Sequence, residues 1–285
     1  MTPASDTEPG LADALAAIDE WDAAHAAAAV IGPDGVVAGR GDLSRTFRWA
    51  SVTKPVTALA VLVAADRGLL DLDEAAGPPG STVRHLLAHT SGLPFEGTTT
   101  LAAPGSRRIY SNPGFDELGR LVSERAGGTF EAVLARFVLE PLEVTGTRLL
   151  ERPSQGLHGP LADLARVALE LLRPTLLDPV AAAAMRTVAF PGLPGVVPGV
   201  GNYEHCDWGL GVEIRGDKRP HWTSDANSPE TFGHIGGSGG FLWVDPAADL
   251  ALVALTDRDY GPWALAAWPP FSAGILTAAT TPAAR

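Results

Sequence analysis

The chain has 285 residues, of which 46% are hydrophobic and 19% are charged, and its formal net charge is −12. This composition is typical of a folded globular protein, and the length allows one large domain or two small ones. Because the chain is acidic and has no basic stretch, it lacks the charge pattern of proteins that bind nucleic acid or anionic lipid, so we expect neither partner.

Three further features bear on the cellular compartment. Residues 1–9 contain acidic residues and no Lys or Arg, and no continuous apolar stretch follows them, so we expect no secretory signal. No segment approaches the roughly 18 consecutive apolar residues of a membrane-spanning helix. The single cysteine, Cys206, excludes an intrachain disulfide. We therefore expect a cytoplasmic protein, while its oligomeric state is not indicated.

The first quarter of the chain shows clear hydrophobic periodicity. It predicts a helix over residues 11–25, strands over residues 26–31 and 36–39, and a helix over residues 52–66. The two strands flank the turn sequence Gly32-Pro33-Asp34-Gly35, which is typical of a hairpin connection.

The middle of the chain is predicted to be helical. Helices there are expected to begin after the N-cap residues Thr82, Asn112, Thr129 and Asp178, and to cover residues 161–172. Residues 191–201 are rich in Pro and Gly and are predicted to be a loop.

The last third changes to a strand pattern. Strands are predicted over residues 208–214, 231–234, 241–244 and 250–256, followed by a helix over residues 263–277 that Pro269-Pro270 should bend or split. Strands at both ends that enclose a helical block predict an α+β fold, with one antiparallel sheet built from both termini, flanked by helices, and a helical domain inserted.

We predict a single catalytic unit over residues 1–285. Its α/β subdomain should comprise residues 1–50 and 205–285, and its helical subdomain residues 51–204.

The most informative motif is Ser51-Val52-Thr53-Lys54, at the start of the second predicted helix. Lys54 is one of only two lysines in the chain, against 19 arginines. In a helix, residues three apart lie on one face with Cβ atoms about 5–6 Å apart, so the amine should lie beside the hydroxyl. A serine becomes an effective nucleophile when a neighbouring base accepts its proton. The motif therefore indicates a candidate nucleophile with its base.

Two later motifs strengthen this interpretation. Tyr110-Ser111-Asn112 precedes a predicted helix, and His234-Ile235-Gly236-Gly237 ends a predicted strand and enters a glycine-rich turn. With these motifs in this order, the chain resembles the serine β-lactamase and penicillin-binding-protein superfamily, in particular class C β-lactamases, D-Ala-D-Ala peptidases and family VIII carboxylesterases. The resemblance covers most of the chain through segments 47–54, 85–93, 110–114, 141–142, 208–211 and 233–236.

The resemblance implies a β-lactamase/transpeptidase-like fold with an inserted all-helical domain, and acyl-enzyme chemistry with no metal or cofactor. It implies that Ser51 attacks the acyl group, that Lys54 is the base or keeps a neighbouring base ionised, and that Tyr110 relays a proton to the leaving group. A nearby cation, for which Lys54 is the candidate, would help Tyr110 work at neutral pH. Asn112 would hold Lys54 or a substrate carbonyl, and the backbone N–H groups of Ser51 and Gly237 would form the oxyanion hole.

The third motif departs from the family pattern. Many β-lactamases have Lys-Thr-Gly here, whereas this chain has His234-Ile235-Gly236. A histidine is only partly charged at neutral pH and Ile235 lacks a hydroxyl donor, so His234 and Gly236 should line a site better suited to neutral esters or amides than to carboxylate-bearing β-lactams.

Three other patterns are expected to be structural. Ser238 lies in a Gly-x-Ser-x-Gly sequence, but no histidine follows it, as the α/β-hydrolase order would require. His85 and His89 are four residues apart, yet no third metal ligand is indicated, so no metal site is expected. Cys206 is expected to be an unreactive thiol.

We therefore expect a serine hydrolase that acts through a Ser51 acyl-enzyme. Its leading expected activity is of the carboxylesterase type, on a small ester or amide. A β-lactamase, a D-amino-acid-directed peptidase or amidase, and an acyltransferase remain open. A non-catalytic ligand-binding module on the same scaffold is an alternative of another class. The expected partner is a small-molecule acyl substrate.

Overall fold

The computed structural model describes residues 9–280, so the expectation about a signal sequence lies largely outside the described residues. The strands are β1 (Ala26–Gly32), β2 (Gly35–Arg40), β3 (Thr46–Arg48), β4 (Arg148–Leu149), β5 (Leu157–Pro160), β6 (Gly195–Val197), β7 (Gly201–Tyr203), β8 (Glu213–Ile214), β9 (Phe232–Gly236), β10 (Gly240–Asp245) and β11 (Leu250–Thr256).

The α-helices are α1 (Pro9–Leu15), α2 (Thr53–Asp66), α3 (Val83–Leu87), α4 (Asn112–Ala126), α5 (Phe130–Leu134), α6 (Leu161–Leu172), α7 (Pro179–Met185) and α8 (Pro262–Thr280). Two 3₁₀ turns, Ala16–Glu20 and Ala50–Val52, and one π-helical turn, Ala135–Leu139, join them.

The main sheet has six strands in the order β2-β1-β11-β10-β9-β8, all paired antiparallel. Its first two strands come from the N-terminal part of the chain and its other four from the C-terminal part. The prediction of an α+β fold with one sheet built from both ends is therefore confirmed.

The sheet is covered on both faces. Ala28 and Val30 of β1 point into a cluster formed with α1 and α8, whereas Ala27, Ala29 and Ile31 point into a larger cluster formed with the helical segment. Because successive side chains of a strand alternate between faces, a strand buried on both sides has to be apolar throughout. This is why β1, β10 and β11 have continuous apolar sequences.

The structure also contains short strands that the sequence analysis did not predict. Strands β3, β5 and β4 form a small sheet, and β6 and β7 form a hairpin that begins in the segment expected to be a loop. The loop prediction for residues 191–201 is wrong because Val196 and Val197 pair with the residues after the turn despite their Gly and Pro neighbours.

Several predicted boundaries also differ. The first helix ends at Leu15 and continues only as a 3₁₀ turn, and Ser111 rather than Asn112 caps α4, accepting a hydrogen bond from Gly114 N–H at 3.1 Å. The strand predicted over residues 208–214 is reduced to β8, because Gly211 adopts a φ of 90°. Helix α8 runs through Pro269 and Pro270 without interruption, since its apolar face packs against the sheet.

Within residues 9–280, no helix combines the length and the hydrophobicity that crossing a membrane would require.

Candidate active site

Ser51 lies in the 3₁₀ turn that leads into α2. The preceding residue, Ala50, has a φ of 46°, a conformation that costs a residue with a side chain of the order of 1 kcal/mol or more. This bend leaves Ser51 partly exposed while Lys54, one turn later, is completely buried. The local geometry therefore presents the hydroxyl to solvent and hides the amine behind it.

The chain around residues 153–159 holds the start of α2 in place. Trp49 N–H donates to Leu157 O at 2.9 Å, and the Trp49 indole donates to Gly159 O at 3.0 Å. Thr53 Oγ1 in turn accepts from Leu157 N–H at 3.1 Å. These contacts fix the backbone on both sides of Ser51.

The Lys54 amine has three close polar neighbours. Lys54 Nζ lies 3.1 Å from Ser51 Oγ, 2.6 Å from Asn112 Oδ1 and 2.9 Å from Ser154 O. Asn112 Oδ1 and Ser154 O can only accept hydrogen bonds, whereas a hydroxyl can donate or accept. A neutral amine that donates to the two acceptors directs its lone pair toward Ser51, so the geometry suits proton transfer from Ser51 to Lys54.

The surroundings favour the neutral form of Lys54. Complete burial lowers the pKa of Lys54 well below its usual 10.5, Arg152 lowers it further, and the carboxylates of Asp116 and Glu96 only partly oppose this. A lysine with a lowered pKa has a larger unprotonated fraction at neutral pH and is a more effective base.

A surface network orients the Asn112 side chain. Asn112 Nδ2 donates to Glu96 Oε1 at 2.8 Å, which leaves Oδ1 for Lys54. Arg152 forms ion pairs with Glu96 at 2.8 Å and with Asp116 at 3.2 Å. Of the two roles expected for Asn112, this geometry supports holding Lys54, because both ends of its amide already have protein partners.

Tyr110 lies close to both Ser51 and Lys54. Its ring stacks on His89 with a centroid distance of 4.5 Å, and Lys54 Nζ lies 4.7 Å from the ring centroid. Burial raises the pKa of Tyr110 above its usual 10, although a hydrogen bond with Ser51 partly opposes the rise. Tyr110 is therefore protonated at neutral pH and can donate a proton, rather than act as a phenolate base.

His234 faces Tyr110 and is uncharged. Its Nδ1 lies 2.6 Å from Ile235 O and its Nε2 lies 3.5 Å from Tyr110 Oη. Burial lowers the pKa of His234 to about 3. With the proton on Nδ1, where the carbonyl accepts it, Nε2 can accept a hydrogen bond from Tyr110.

The turn between β9 and β10 brings Gly236 and Gly237 beside Ser51. A Cβ atom on Gly236 would lie 2.5 Å from Trp49 O, so only glycine allows this close approach. Gly239 N–H donates to Gly236 O at 3.0 Å, and Ser238 Oγ donates to Arg48 O at 2.6 Å. The turn is thus fixed against the segment that precedes Ser51, and Ser238 has a structural hydrogen bond.

A pocket of about 250 Å³ opens at this place. Of the predicted site residues, the structure places five in its lining, namely Ser51, Tyr110, His234, Gly236 and Gly237, while Lys54 and Asn112 lie behind Ser51. No Lys or Arg is among its lining residues, all of which belong to the described part of the chain, and the buried residue Glu213 is one of them.

The sequence analysis missed the residues that complete this site. Glu96, Arg152 and Tyr260 lie in loops, and Glu213 lies in a two-residue strand. Glu96, Arg152 and Tyr260 belong to no recognisable motif or periodic pattern, and Glu213 lies in a predicted strand but in no motif. No signal in a single sequence therefore indicates that these residues contribute to the site.

The two histidines expected to be structural have different hydrogen-bond partners. His85 Nδ1 lies 2.8 Å from Thr82 Oγ1, whereas His89 Nδ1 accepts from Ser111 N–H at 3.1 Å. Cys206 is buried beside Trp208, and burial raises its pKa to about 11, so its thiol is a poor nucleophile at neutral pH.

Comparison with known proteins identifies relatives of this chain. A family model described as Beta-lactamase matches residues 15–275. A crystal structure of a β-lactamase from Mycobacterium bovis is 52% identical, with a TM-score of 0.92, and the alignment covers 94% of this chain and 100% of that chain. A penicillin-binding protein of Bacillus subtilis is 27% identical over 139 residues, which cover 37% of this chain and 31% of that protein, so the match spans about a third of that relative's length.

A more distant solved structure shares the fold. EstCE1, described as a hydrolase with promiscuous acyltransferase activity, is 19% identical with a TM-score of 0.77, and the alignment covers 94% of this chain and 99% of that chain. The family model matches most of this chain, and the mycobacterial structure is matched over its whole length. The chain therefore belongs to the Beta-lactamase family of serine hydrolases.

Proposed function

We propose that the protein is a carboxylesterase-type serine hydrolase that forms an acyl-enzyme on Ser51 with a small neutral ester. The observation that carries this proposal is the absence of a cation from the lining of the pocket. Its lining residues include no Lys or Arg, and His234, at the position where many β-lactamases have a lysine, has a pKa of about 3. A substrate carboxylate would therefore find no cationic side chain among the lining residues.

The contacts support a sequence of proton transfers in this reaction. Neutral Lys54 accepts the proton of Ser51 as Oγ attacks the ester carbonyl carbon, and backbone N–H groups of Ser51 and Gly237 would stabilise the resulting oxyanion. The C–O bond to the leaving group then breaks, and Tyr110 supplies a proton to the departing oxygen and recovers one from Lys54. Water attacks the acyl-enzyme by the reverse transfers and releases the acid.

The small pocket supports a small substrate. A volume of about 250 Å³ lies just below the usual range for drug-sized ligands, about 300–1,000 Å³. We propose a small-molecule acyl ester as the partner.

The test compares p-nitrophenyl butyrate with nitrocefin, for the native protein and for Ser51→Ala. We expect ester turnover by the native protein, a butyryl mass adduct on the intact protein, little nitrocefin cleavage, and loss of both turnover and adduct in Ser51→Ala. Ester turnover that persists in the variant would contradict the proposal. Circular dichroism of the variant checks that its fold is intact.

The 52% identity to the Mycobacterium bovis β-lactamase favours a second candidate, a β-lactamase. Strong nitrocefin cleavage that depends on Ser51 would select it. Acyl transfer is distinguished by adding an alcohol acceptor and measuring ester product by mass spectrometry. Stoichiometric, reversible ligand binding without a Ser51 adduct would indicate a binding module.

A further inference from the structure

The tip of the β6–β7 hairpin forms one wall of the pocket. Strands β6 and β7 pair through Gly195 with Tyr203 and Val197 with Gly201, and the residues Val197, Pro198 and Gly199 line the pocket. The base of the hairpin is anchored where Arg108 N–H donates to Pro194 O at 2.9 Å. The tip itself needs a separate anchor if it is to keep its place.

Tyr260 supplies that anchor. Tyr260 Oη donates to Gly199 O at 3.0 Å. A Cβ atom on Gly199 would lie 2.6 Å from Tyr260 Cε1, so the ring lies directly against the backbone of the tip. Gly199 also has a φ of 74°, which favours glycine. The close contact therefore depends on Tyr260 and on glycine at position 199.

Tyr260 also joins the hairpin to the reactive part of the site. Its backbone N–H donates to Gly237 O at 2.9 Å, and its ring is itself part of the pocket lining. The ring packs on Trp268 of α8 with a centroid distance of 5.5 Å. One residue thus connects the hairpin tip, the glycine turn beside Ser51 and the body of the protein.

We propose that Tyr260 is a specificity-determining residue that restricts the acyl group to a short chain by fastening the β6–β7 hairpin tip over the pocket. The inference rests on the proposed function, because it names the class of acyl group that the same site accepts. An acyl chain that extends past the roughly 250 Å³ pocket on the side of the tip has to displace the tip residues that line it, and the hydrogen bond and ring contact of Tyr260 oppose that displacement.

The first experiment measures kcat/KM for p-nitrophenyl acetate, butyrate and octanoate. We expect the native protein to prefer the short esters. In Tyr260→Ala the ratio of kcat/KM for octanoate to kcat/KM for acetate should rise at least about tenfold, because each methylene group that a pocket accommodates changes kcat/KM by about 10-fold or more. Tyr260→Phe keeps the ring and loses the hydrogen bond, so its ratio should shift in the same direction by a smaller factor.

Two further variants separate this role from general damage. Gly199→Ala disturbs the same contact from the hairpin side and should also raise the ratio. Tyr203→Phe is the matched control, because Tyr203 donates its hydroxyl to Pro220 O from the same hairpin and does not line the pocket. A ratio is used because loss of folded protein lowers all three rates equally.

An unchanged ratio in both Tyr260→Ala and Gly199→Ala would overturn the proposal while leaving the esterase function intact. If no ester is hydrolysed, the proposed function fails. The role of Tyr260 is then tested by calorimetry, which measures the binding of ethyl-, butyl- and octylboronic acid. In that reaction Ser51 Oγ bonds to boron and its proton passes to Lys54. Preference for the short chain that is lost in Tyr260→Ala supports the proposal; no preference, or no binding, overturns it.

Discussion

Lys54 Nζ lies 3.1 Å from Ser51 Oγ in a position where its other two polar neighbours can only accept hydrogen bonds. A charged ammonium could donate to all three neighbours, whereas a neutral amine donates to two and accepts from the third. Burial selects the neutral amine by lowering the pKa of Lys54. The nucleophile and its base are therefore organised by the same contacts that bury the lysine.

This relationship predicts the pH dependence of the reaction. Since the neutral amine is the active form, kcat/KM should rise with pH through the pKa of Lys54 and fall as Lys54 becomes protonated at lower pH. The rise should finish well below pH 10.5, the usual lysine pKa. His234, with a pKa of about 3, should add no step near pH 6.5. A pH–rate profile with p-nitrophenyl butyrate measures this.

The control for the pH profile is circular dichroism over the same pH range, which separates titration from unfolding. Lys54→Ala should lose at least about 10²-fold, and its residual rate should lack the step. A step that survives in Lys54→Ala would assign it to another group.

The hydroxyl of Tyr110 should matter more than its ring. Tyr110→Phe keeps the stacking on His89 and removes the hydroxyl that would donate to the leaving oxygen, so we expect a loss of at least about 10²-fold in kcat. The measurement is steady-state hydrolysis of p-nitrophenyl butyrate. Tyr203→Phe, which loses a hydroxyl outside the pocket, should remain near the native rate. A near-native Tyr110→Phe would remove Tyr110 from the proton path.

The surface carboxylate of Glu96 should act on catalysis through Asn112. Glu96→Ala removes the acceptor that fixes the Asn112 amide, and we expect a loss of about 10-fold in kcat, of the size seen when a supporting hydrogen bond is removed. Glu96→Gln keeps an acceptor and should recover most of this loss. Because the charge of Glu96 raises the pKa of Lys54, both variants should move the acidic limb of the pH profile to lower pH.

Glu151 offers a matched control for Glu96. It is an exposed carboxylate that pairs with Arg48 and has no contact with Asn112, so Glu151→Ala should leave rate and pH profile unchanged. Equal losses in Glu96→Ala and Glu96→Gln, with no movement of the limb, would contradict the positioning role.

The backbone at Gly236 should tolerate no side chain. In Gly236→Ala the new Cβ would lie 2.5 Å from Trp49 O, so the β9–β10 turn has to move away from Ser51. We expect at least about 10²-fold loss in kcat, because oxyanion stabilisation depends on donor placement within a few tenths of an ångström. Gly274→Ala is the control, since its Cβ would meet only Ala14 Cβ at 4.0 Å. Native kcat in Gly236→Ala would show that the turn does not serve the oxyanion.

The sequence predicts those parts of the fold whose pattern is long and regular. Helix α6 and strand β11 have the bounds expected from periodicity. The 12 residues of α6 and the 7 residues of β11 each repeat one hydrophobic pattern along a buried face. The small sheet of β3, β5 and β4 was not predicted, since strands of two to four residues are too short to show alternation. The β6–β7 hairpin was missed because Gly and Pro dominate its sequence.

The same distinction applies to the site. Ser51, Lys54 and Tyr110 belong to motifs of fixed spacing, and the structure brings them together, although their roles stay predictions until the rates are measured. Glu96 and Arg152 are 56 residues apart in sequence, and their ion pair exists only because two loops meet. No pattern within a single sequence indicates that these two loops are in contact. Tertiary contacts of loops therefore supply the part of the site that the sequence does not reveal.

The stability of the fold in acid should depend on the buried carboxyl group of Glu213. Burial alone would raise the pKa of Glu213, but the charges of His221 and Lys218 and hydrogen bonds from His221 and Trp222 outweigh it and lower the pKa to about 2. Lys218 Nζ lies 3.5 Å from Glu213 Oε1, and both side chains are almost completely buried. Removal of the carboxylate leaves Lys218 without its ionic partner, which is a costly change in a buried pair.

The direction of the pH effect follows from the lowered pKa of Glu213. A carboxyl whose pKa is lower in the folded than in the unfolded state stabilises the fold above its unfolded pKa, near 4.5, and this contribution is lost as the pH falls toward 2. The difference between 4.5 and about 2 corresponds to roughly 3 kcal/mol of unfolding free energy. Urea denaturation of the native protein should show this loss of unfolding free energy between roughly pH 5 and pH 2, the range that contains both pKa values.

Glu213→Gln should be less stable than the native protein at pH 6 by about 3 kcal/mol, and its unfolding free energy should depend less on pH below 5. Glu230→Gln, at an exposed site, is the control and should follow the native curve. Parallel pH curves for Glu213→Gln and the native protein would show that Glu213 is not the titrating group. Because Glu213 also forms part of the pocket wall, a variant that folds at pH 6 further allows ester selectivity to be measured without this carboxylate.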